Sequence, residues 1–190
     1  MKNNPANQKL VFVVQKHKAT TLHYDFRLEI GGVMPSWSIP KGPTLDSSVK
    51  RLAIPTTDHP LDYRHFEGVI SDGEYGAGAV MIWDEGTYCP EIEKGKGVRK
   101  EVTEREAAEE EMRKGLHEGE LLFRLYGKKL RGSFTLIRTR RFGGKESWLL
   151  MKHHDEYTKI GYDANQYDFS AVSGRSLAEV AAHHEDADPI

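Results

Sequence analysis

The segment His17-Lys-Ala-Thr-Thr-Leu-His23-Tyr-Asp25-Phe-Arg27-Leu-Glu29 alternates apolar and polar side chains in its second half. In an extended strand, alternate side chains share a face. One face then carries Leu22, Tyr24, Phe26, Leu28 and Ile30, and the other carries His23, Asp25, Arg27 and Glu29. The pattern predicts a β-strand with one apolar face and one face rich in ionisable groups.

Most of the remaining chain consists of short apolar runs separated by clusters of Gly, Pro and Asp, which is typical of all-β proteins. Gly31-Gly32 is expected to turn the second strand into the third. The sequence therefore predicts an all-β fold, a compact β-barrel with short peripheral helices. The predicted strands are Leu10–His17, Leu22–Ile30, Ser36–Ile39, Arg51–Thr56, Phe66–Ile70, Ala79–Glu85, Glu120–Tyr126, Gly132–Arg138 and Ser147–His153.

Two helices are predicted at the periphery of this barrel. Thr103 and Glu106 have the spacing of a capping box ahead of an Ala/Glu-rich run that should stop at Gly115, giving a surface insert near 101–117. Ser176 and Glu179 repeat the spacing before a short C-terminal helix near 176–183. With 190 residues and 38% hydrophobic content, we expect 1–190 to form one domain.

Global charge gives no reason to expect tight binding to a polyanion, because the formal net charge is -2. A basic segment at 124–152 is the best local candidate for a phosphate-backbone track, and a solvated loop is an equally good interpretation. Its basic residues are Arg124, Lys128, Lys129, Arg131, Arg138, Arg140, Arg141, Lys145 and Lys152. The short apolar runs, the polar start and the single cysteine, Cys89, predict a cytoplasmic protein without a membrane span or disulfide.

A metal centre is the sharpest chemical hypothesis from the residues alone. His23 and Asp25 would lie about 7 Å apart on one strand face, with His17 arriving from the end of the preceding strand. Two imidazoles and a carboxylate suit manganese or zinc, and Arg27 on the same face offers a fork for a phosphate oxygen. The alternative is an exposed polar row without any ligand.

Further polar groups follow in loops. Lys41 lies in a turn bounded by Pro and Gly, and His59 has a side chain that can transfer protons at neutral pH with Asp58 or Asp62 orienting its ring. A single loop histidine is equally compatible with a structural or exposed role. The glycine-rich stretch 71–78 lacks the Lys-Ser/Thr of a P-loop and is interpreted as a tight bend.

The three tryptophans occur within predicted strands. They are Trp37, Trp83 and Trp148. We expect them to belong to the core rather than to serve as stacking platforms for bases.

Several motifs together make the chain resemble the phosphoesterase domain of bacterial DNA ligase D, an end-healing module of non-homologous end joining. The resemblance covers most of the chain. Its motifs are Gln15-Lys-His17-x5-His23-Tyr-Asp25-Phe-Arg27, Trp37-Ser-Ile-Pro-Lys41-Gly-Pro, Lys50-Arg51-Leu-Ala, Asp58-His59-Pro-Leu-Asp-Tyr63, Phe66-Glu-Gly-Val-Ile, Gly73-Glu-Tyr-Gly-Ala-Gly, Gly127-Lys-Lys-Leu-Arg-Gly and Trp148-Leu-Leu-Met-Lys152.

The resemblance implies a β-barrel that removes a 3′-terminal ribonucleoside or a 3′-phosphate from DNA or DNA/RNA primer-template ends and leaves a 3′-hydroxyl. It implies metal ligands at His17, His23 and Asp25, with Mn²⁺ as the ion and Zn²⁺ or Co²⁺ as alternatives. Phosphate-binding positions fall on Arg27, Lys41 and Arg51, and active-site positions on His59 and Tyr63. Separate DNA ligase, polymerase and Ku-type proteins would be the partners of a monomer.

Two other functions fit parts of the same pattern. Two histidines and a carboxylate also form the facial triad of non-haem iron oxygenases, which need ferrous iron and an organic co-substrate. A nucleic-acid-binding barrel without catalysis would use only the basic segment. Activity with manganese in the absence of oxygen, and the response of DNA binding to a chelator, distinguish the three.

Overall fold

Within residues 8–140 and 146–183, which the computed structural model describes, the chain forms ten β-strands and two α-helices. Arg141 and Lys145 of the basic segment lie outside the described residues. The strands are β1 (Leu10–Lys18), β2 (Leu22–Leu28), β3 (Val33–Ile39), β4 (Lys50–Pro60), β5 (Gly68–Ile70), β6 (Gly78–Gly95), β7 (Val98–Glu101), β8 (Glu120–Gly127), β9 (Arg131–Thr139) and β10 (Ser147–Lys152). The helices are α1 (Arg105–Glu118) and α2 (Leu177–Ala182), with 3-10 turns at Leu61–His65 and Ala164–Gln166.

Eight of the strands close into an antiparallel barrel. The hydrogen-bonded order β1-β2-β3-β4-β10-β9-β8-β6 returns to its start because β6 also pairs with β1. The short strands β5 and β7 pair with β6 outside this circuit. The predicted all-β barrel with short helices is confirmed. In the described part of the chain, no helix combines the length and apolar character needed to cross a membrane.

The register of β1 and β2 positions the polar residues that the sequence singled out. His17 lies directly opposite His23, and Gln15 lies opposite Asp25. The predicted turn after β2 is also present, because Gly31 and Gly32 both adopt positive φ angles of 64° and 81°. Two successive positive φ angles match the tight hairpin turns that suit the twist of antiparallel strands.

The barrel interior is filled by the apolar faces of the strands. Phe12, Tyr24 and Phe26 belong to the main buried cluster. The three tryptophans, Trp37, Trp83 and Trp148, belong to the same cluster, and each has 2% or less of its surface exposed. Their expected core role is confirmed.

A second, smaller apolar cluster lies on the opposite face of these strands. Val13, Met34 and Ile82 are buried there, and Leu61 packs against them. The turn Leu61–His65 therefore covers part of the outer barrel wall. This cover explains why the polar face of β2 is largely buried instead of facing solvent.

Helix α1 differs from its prediction at both ends. It is capped by Glu104, whose carboxylate accepts from the backbone N–H groups of Glu106 and Ala107, and not by Thr103. It continues through Gly115 and ends at Gly119, whose φ is 91°. Gly115 permits close packing, because a Cβ there would lie 2.5 Å from the Glu120 carbonyl oxygen. The capping box of α2, by contrast, is present as predicted.

The strand predictions fail mainly in the segment before α1. Strand β6 extends to Gly95 and pairs with β7, whereas the prediction ended at Glu85 and contained no β7. Charged residues dominate Glu91–Glu101 and hide the apolar alternation. The predicted strand at 66–70 shrinks to Gly68–Ile70. The strand predicted to end at Thr56 continues to Pro60, so His59 lies in β4 and not in a loop, because β4 pairs with the start of β3.

Candidate metal centre

Two histidines and one aspartate meet on the outer wall of the barrel. His17 from β1 and His23 and Asp25 from β2 each offer a ligand atom, and these atoms lie within 4.8 Å of one another. Oδ2 of Asp25 is 3.6 Å from Nδ1 of His17 and 3.4 Å from Nε2 of His23. His17 and Asp25 are buried, and His23 is half-buried. The three residues predicted as metal ligands are therefore brought together.

Backbone carbonyls fix the ring orientation of both histidines. Nε2 of His17 lies 2.7 Å from the carbonyl oxygen of Gly76, and Nδ1 of His23 lies 3.1 Å from that of Thr21. A carbonyl oxygen only accepts, so in each neutral ring this nitrogen carries the proton. The other nitrogen, Nδ1 of His17 and Nε2 of His23, then directs its lone pair towards Asp25. Histidine ligands of metals are held in this manner by partners of the second nitrogen.

The electrostatics of the trio favour an ionised carboxylate. Burial raises the pKa of Asp25, but the neighbouring imidazoles of His17 and His23 and the charge of Arg27 outweigh it and hold the pKa well below its usual range. The carboxylate of Asp25 stabilises the protonated form of His23 and so raises the pKa of that ring against the effect of burial. A negative oxygen beside two imidazole lone pairs fits a mid-row divalent cation.

Arg27 is held by three neighbours. Its side chain is buried, with Nε 2.7 Å from Oε1 of Gln15, Nη2 3.3 Å from Oδ2 of Asp25 and Nη1 3.1 Å from Nδ1 of His59. A guanidinium carries five N–H groups, so about two remain for another ligand. Arg27 thus orients Asp25 in addition to its predicted role on a phosphate.

Gln15 connects Arg27 to the turn Leu61–His65, although the sequence pattern assigns it no role. Its Oε1 accepts from Arg27, and its Nε2 donates to the carbonyl oxygens of Tyr63 at 3.0 Å and Phe66 at 3.1 Å. It is fully buried. Its place two residues before His17, on the same face of β1, was the available signal.

Aromatic side chains cover Arg27 from the side of the turn Leu61–His65. The ring of Tyr63 lies 5.1 Å from the Arg27 guanidinium carbon, 4.7 Å from the ring of His59 and 5.4 Å from the ring of Phe66, which it stacks against. His59 and Tyr63, both predicted for the active site, therefore contact the group that holds Asp25.

His59 has two competing partners on one nitrogen. Nδ1 lies 2.8 Å from the carbonyl oxygen of Thr57 and 3.1 Å from Nη1 of Arg27. A protonated Nδ1 donates to Thr57, and an unprotonated one accepts from Arg27. Burial and the charge of Arg27 lower the pKa of His59 below 6.5. Among the described residues, neither Asp58 nor Asp62 hydrogen-bonds this ring.

Lys41 and Arg51 are the other two predicted phosphate ligands. Lys41 is exposed in the turn after β3. Arg51 occupies β4 opposite Leu150, on the strand face that carries the core residue Ala53, and its Nε is buried without a hydrogen-bond partner. No hydrogen bond or ion pair joins Lys41 or Arg51 to His17, His23 or Asp25 in the described ranges. Their role in phosphate binding stays a prediction.

Much of the positive charge in the basic segment is engaged within the protein. Arg124 pairs with Glu156 at 2.6 Å and with Glu101 at 3.6 Å. The Lys152 ammonium group lies 2.6 Å from Asp155. Burial lowers the pKa of Lys129 to about 8, and its Nζ donates to backbone carbonyls. These contacts give the three residues internal partners, which neither a free phosphate track nor a solvated loop would provide.

The comparisons with known proteins identify a family for this chain. Residues 15–138 match the family model described as the DNA Ligase D 3′-phosphoesterase domain, and the matched stretch contains every residue of the candidate centre. The barrel fold and this family description together indicate the class of β-barrel phosphoesterase domains. The chain belongs to the DNA Ligase D 3′-phosphoesterase domain family.

Relatives in three organisms cover most of this chain. The multifunctional non-homologous end joining protein LigD of Pseudomonas aeruginosa is 47% identical over 146 residues, which is 77% of this chain and 15% of that protein. The multifunctional non-homologous end joining DNA repair protein LigD of Mycobacterium tuberculosis is 44% identical over 128 residues, 67% of this chain and 14% of that protein. The LigD protein of Mycolicibacterium smegmatis is 40% identical over 145 residues, 76% of this chain and 17% of that protein. The chain therefore spans less than a fifth of the length of these curated relatives.

Proposed function

We propose that this protein is a metal-dependent phosphoesterase that heals the 3′ ends of DNA. It removes a 3′-ribonucleoside, a 3′-phosphate or both, and leaves a 3′-hydroxyl for DNA repair. The observation that carries the proposal is the pair of carbonyl-oriented imidazoles, His17 and His23, which direct their lone pairs towards one low-pKa carboxylate, Asp25, beside the Arg27 guanidinium. The family match and the end-joining names of the relatives support it.

The ion proposed for this site is Mn²⁺, with Zn²⁺ or Co²⁺ as alternatives. Nδ1 of His17, Nε2 of His23 and the carboxylate of Asp25 would hold it. When bound, such an ion supplies Lewis-acid stabilisation of a phosphoryl oxygen and lowers the pKa of water. Three protein ligands leave coordination positions for substrate and solvent.

The residues around the ion site handle charge and protons. Arg27 orients Asp25 and, with its remaining N–H groups, stabilises negative charge on the phosphate. Lys41 and Arg51 are the further phosphate ligands in this proposal. Tyr63 positions the phosphate and limits the movement of Arg27 by lying against its guanidinium.

His59 is the proposed proton donor or transition-state stabiliser. When Nδ1 donates to Thr57, Nε2 is an acceptor, and when Nδ1 accepts from Arg27, the proton lies on Nε2. The second arrangement presents a neutral N–H donor to a leaving oxygen without a net charge on the ring. In this neutral form the ring stabilises charge on the leaving oxygen by hydrogen bonding, whereas donation of a proton to it requires the imidazolium form.

The proposed substrates are DNA or DNA/RNA primer-template 3′ ends, handled in the cytoplasm by a monomer. A DNA ligase, a polymerase and Ku-type end-joining proteins are the proposed partners. The names of the relatives support this setting, because each is an end joining protein.

The test uses a labelled primer-template that ends in a 3′-ribonucleotide or a 3′-phosphate, with Mn²⁺ or with chelator, in the absence of oxygen. The wild-type protein should release the 3′ group only with the ion and leave an end that a polymerase extends. His23→Ala and Asp25→Ala should lose Mn²⁺ binding and turnover, while the exposed His117→Ala serves as control. Full activity in either site variant contradicts the ligand assignment.

Two outcomes of the same experiment favour the other functions. A strict need for oxygen, ferrous iron and an organic co-substrate identifies an oxygenase. Binding of nucleic acid that is unaffected by chelator and is not followed by cleavage identifies a non-catalytic nucleic-acid-binding barrel.

A further inference from the structure

Tyr75 stands at the tip of the β5–β6 hairpin with 98% of its surface exposed. It is the most exposed large hydrophobic side chain among the described residues. Single exposed apolar residues are common on protein surfaces and need no explanation by themselves. The place of Tyr75 in the molecule is what distinguishes it.

The hairpin tip is attached to the candidate metal centre. The carbonyl oxygen of Gly76, the next residue, is 2.7 Å from Nε2 of His17. Two turn hydrogen bonds shape the loop, from the Glu74 N–H to the Ser71 carbonyl oxygen and from the Ala77 N–H to that of Glu74. Tyr75 is thus fixed one residue from the atom that orients a predicted metal ligand.

Glycine is required where this loop returns to the barrel. Gly78 has a φ of 132°, and a Cβ there would lie 1.9 Å from the carbonyl oxygen of Lys18. The hairpin therefore passes close against the end of β1, which carries His17. This contact holds the tip at the edge of the site.

The other aromatic rings near the site have occupied faces. Tyr63 lies between the guanidinium of Arg27 and the ring of Phe66, and His59 packs against Tyr63. The tryptophans are in the core. Among the described aromatic residues near the site, Tyr75 presents a ring without a packing partner.

We propose that Tyr75 stacks against an unpaired nucleobase of the strand whose 3′ end occupies the metal centre. The inference rests on the proposed function and adds a contact for the nucleoside portion of the substrate. Aromatic side chains bind single-stranded nucleic acid by stacking on base faces, which is tolerant of sequence. A tyrosine has few rotatable bonds, so ordering its ring costs little entropy.

The experiment measures binding, so that it is independent of turnover. The probe is a single-stranded oligonucleotide that ends in a 3′-methylenephosphonate, whose carbon–phosphorus bond resists hydrolysis. A matched probe lacks the bases of the terminal nucleotides. Fluorescence anisotropy with Mn²⁺ gives Kd for the wild-type protein and for Tyr75→Ala, Tyr75→Phe and Tyr75→Leu.

With Tyr75→Ala, the Kd of the base-bearing probe should rise roughly fivefold or more, as expected for the loss of one stacked base. The Kd of the abasic probe should not change. Tyr75→Phe should restore binding, and Tyr75→Leu should behave as Tyr75→Ala because it keeps apolar area without a ring. The melting temperature should be unchanged, since the ring packs against nothing.

Tyr157→Ala is the matched control, since Tyr157 is exposed and lies beside Arg124 rather than the metal centre. Equal Kd values for wild type and Tyr75→Ala on the base-bearing probe overturn the proposal, and so does an equal loss on both probes. A wild-type protein that binds with this pattern but cleaves no end overturns the proposed function and leaves stacking supported.

Discussion

Gln15 and Arg27 form a hydrogen bond of 2.7 Å beneath the candidate metal centre. The same amide donates to the carbonyl oxygens of Tyr63 and Phe66. One buried side chain therefore connects the guanidinium that orients Asp25 with the turn that brings Tyr63 over the site.

Gln15→Leu should reduce turnover by about tenfold to a hundredfold, because small displacements of a positioned group have effects of this size. The variant leaves the Arg27 Nε–H and two carbonyl oxygens without their partner, so the free energy of unfolding should fall by about 2 kcal/mol. Gln15→Glu keeps the acceptor for Arg27 and should retain Mn²⁺ affinity. The measurements are kcat, the Kd of Mn²⁺ and a urea unfolding curve. Wild-type kcat in Gln15→Leu contradicts this role.

The pKa of His59 gives a second test. Burial first, and then the charge of Arg27, hold this pKa below the ordinary 6.5. In Arg27→Gln, the pKa should rise towards 6.5 but stay lowered, because burial persists. Titration of the ring proton by NMR in the metal-free protein measures both values. A wild-type pKa above 6.5, or no change in the variant, contradicts the electrostatic role of Arg27.

The same shift predicts how stability depends on pH. A histidine whose folded pKa lies below its unfolded value of 6.5 binds fewer protons in the folded state between those two values. Its contribution to stability is complete above pH 6.5 and is lost as pH falls through the folded pKa. His59→Gln should therefore flatten the decline in melting temperature below pH 6.5. If the melting temperature of His59→Gln falls with pH as steeply as that of the wild type, His59 does not cause the decline.

The sequence predicted the barrel and the shared face of the ligands because both depend on local alternation. His23 and Asp25 follow the two-residue period of β2, and Gly31-Gly32 fixes the turn that follows. His17 meets them through the β1–β2 register, which the short connection between these strands sets.

The remaining parts of the site depend on tertiary contacts without a local signal. The turn Leu61–His65 covers the outer wall because Leu61 packs on a small apolar cluster from three other strands. Gln15 connects Arg27 to this turn only because the folded turn places the carbonyl oxygens of Tyr63 and Phe66 within reach of its amide. Lys41 and Arg51 resemble phosphate ligands in sequence, yet no hydrogen bond or ion pair in the described ranges joins either of them to the trio. Local periodicity contains none of this information.

Asp84 provides a test of the barrel itself. Its buried carboxylate accepts from the backbone N–H groups of Lys128, Lys129 and Leu130 at 2.9, 3.0 and 2.8 Å, and so holds the β8–β9 turn. Asp84→Ala should lower the free energy of unfolding by about 3 kcal/mol, because three donors lose their acceptor. Asp84→Asn should cost less, since one oxygen remains.

Urea unfolding measures both Asp84 variants. The exposed Asp72→Ala is the control and should stay within about 0.5 kcal/mol of wild type. If the urea midpoint of Asp84→Ala equals that of Asp72→Ala, water replaces the carboxylate without a loss in the free energy of unfolding.

Variants of Lys41 and Arg124 distinguish the two predicted sources of phosphate affinity, which are the predicted phosphate ligands of the active site and the basic segment 124–152. Lys41 is exposed and has no ion-pair partner in the described ranges, whereas Arg124 lies 2.6 Å from Glu156 and 3.6 Å from Glu101. A cation that already has two carboxylate partners releases few additional counterions when DNA arrives. Lys41→Ala should therefore weaken strand binding and reduce the slope of log K against log salt by about 0.7. Arg124→Gln should leave both the affinity and the slope unchanged. Anisotropy at several salt concentrations measures them, and a loss confined to Arg124→Gln would place the phosphate track on the basic segment instead.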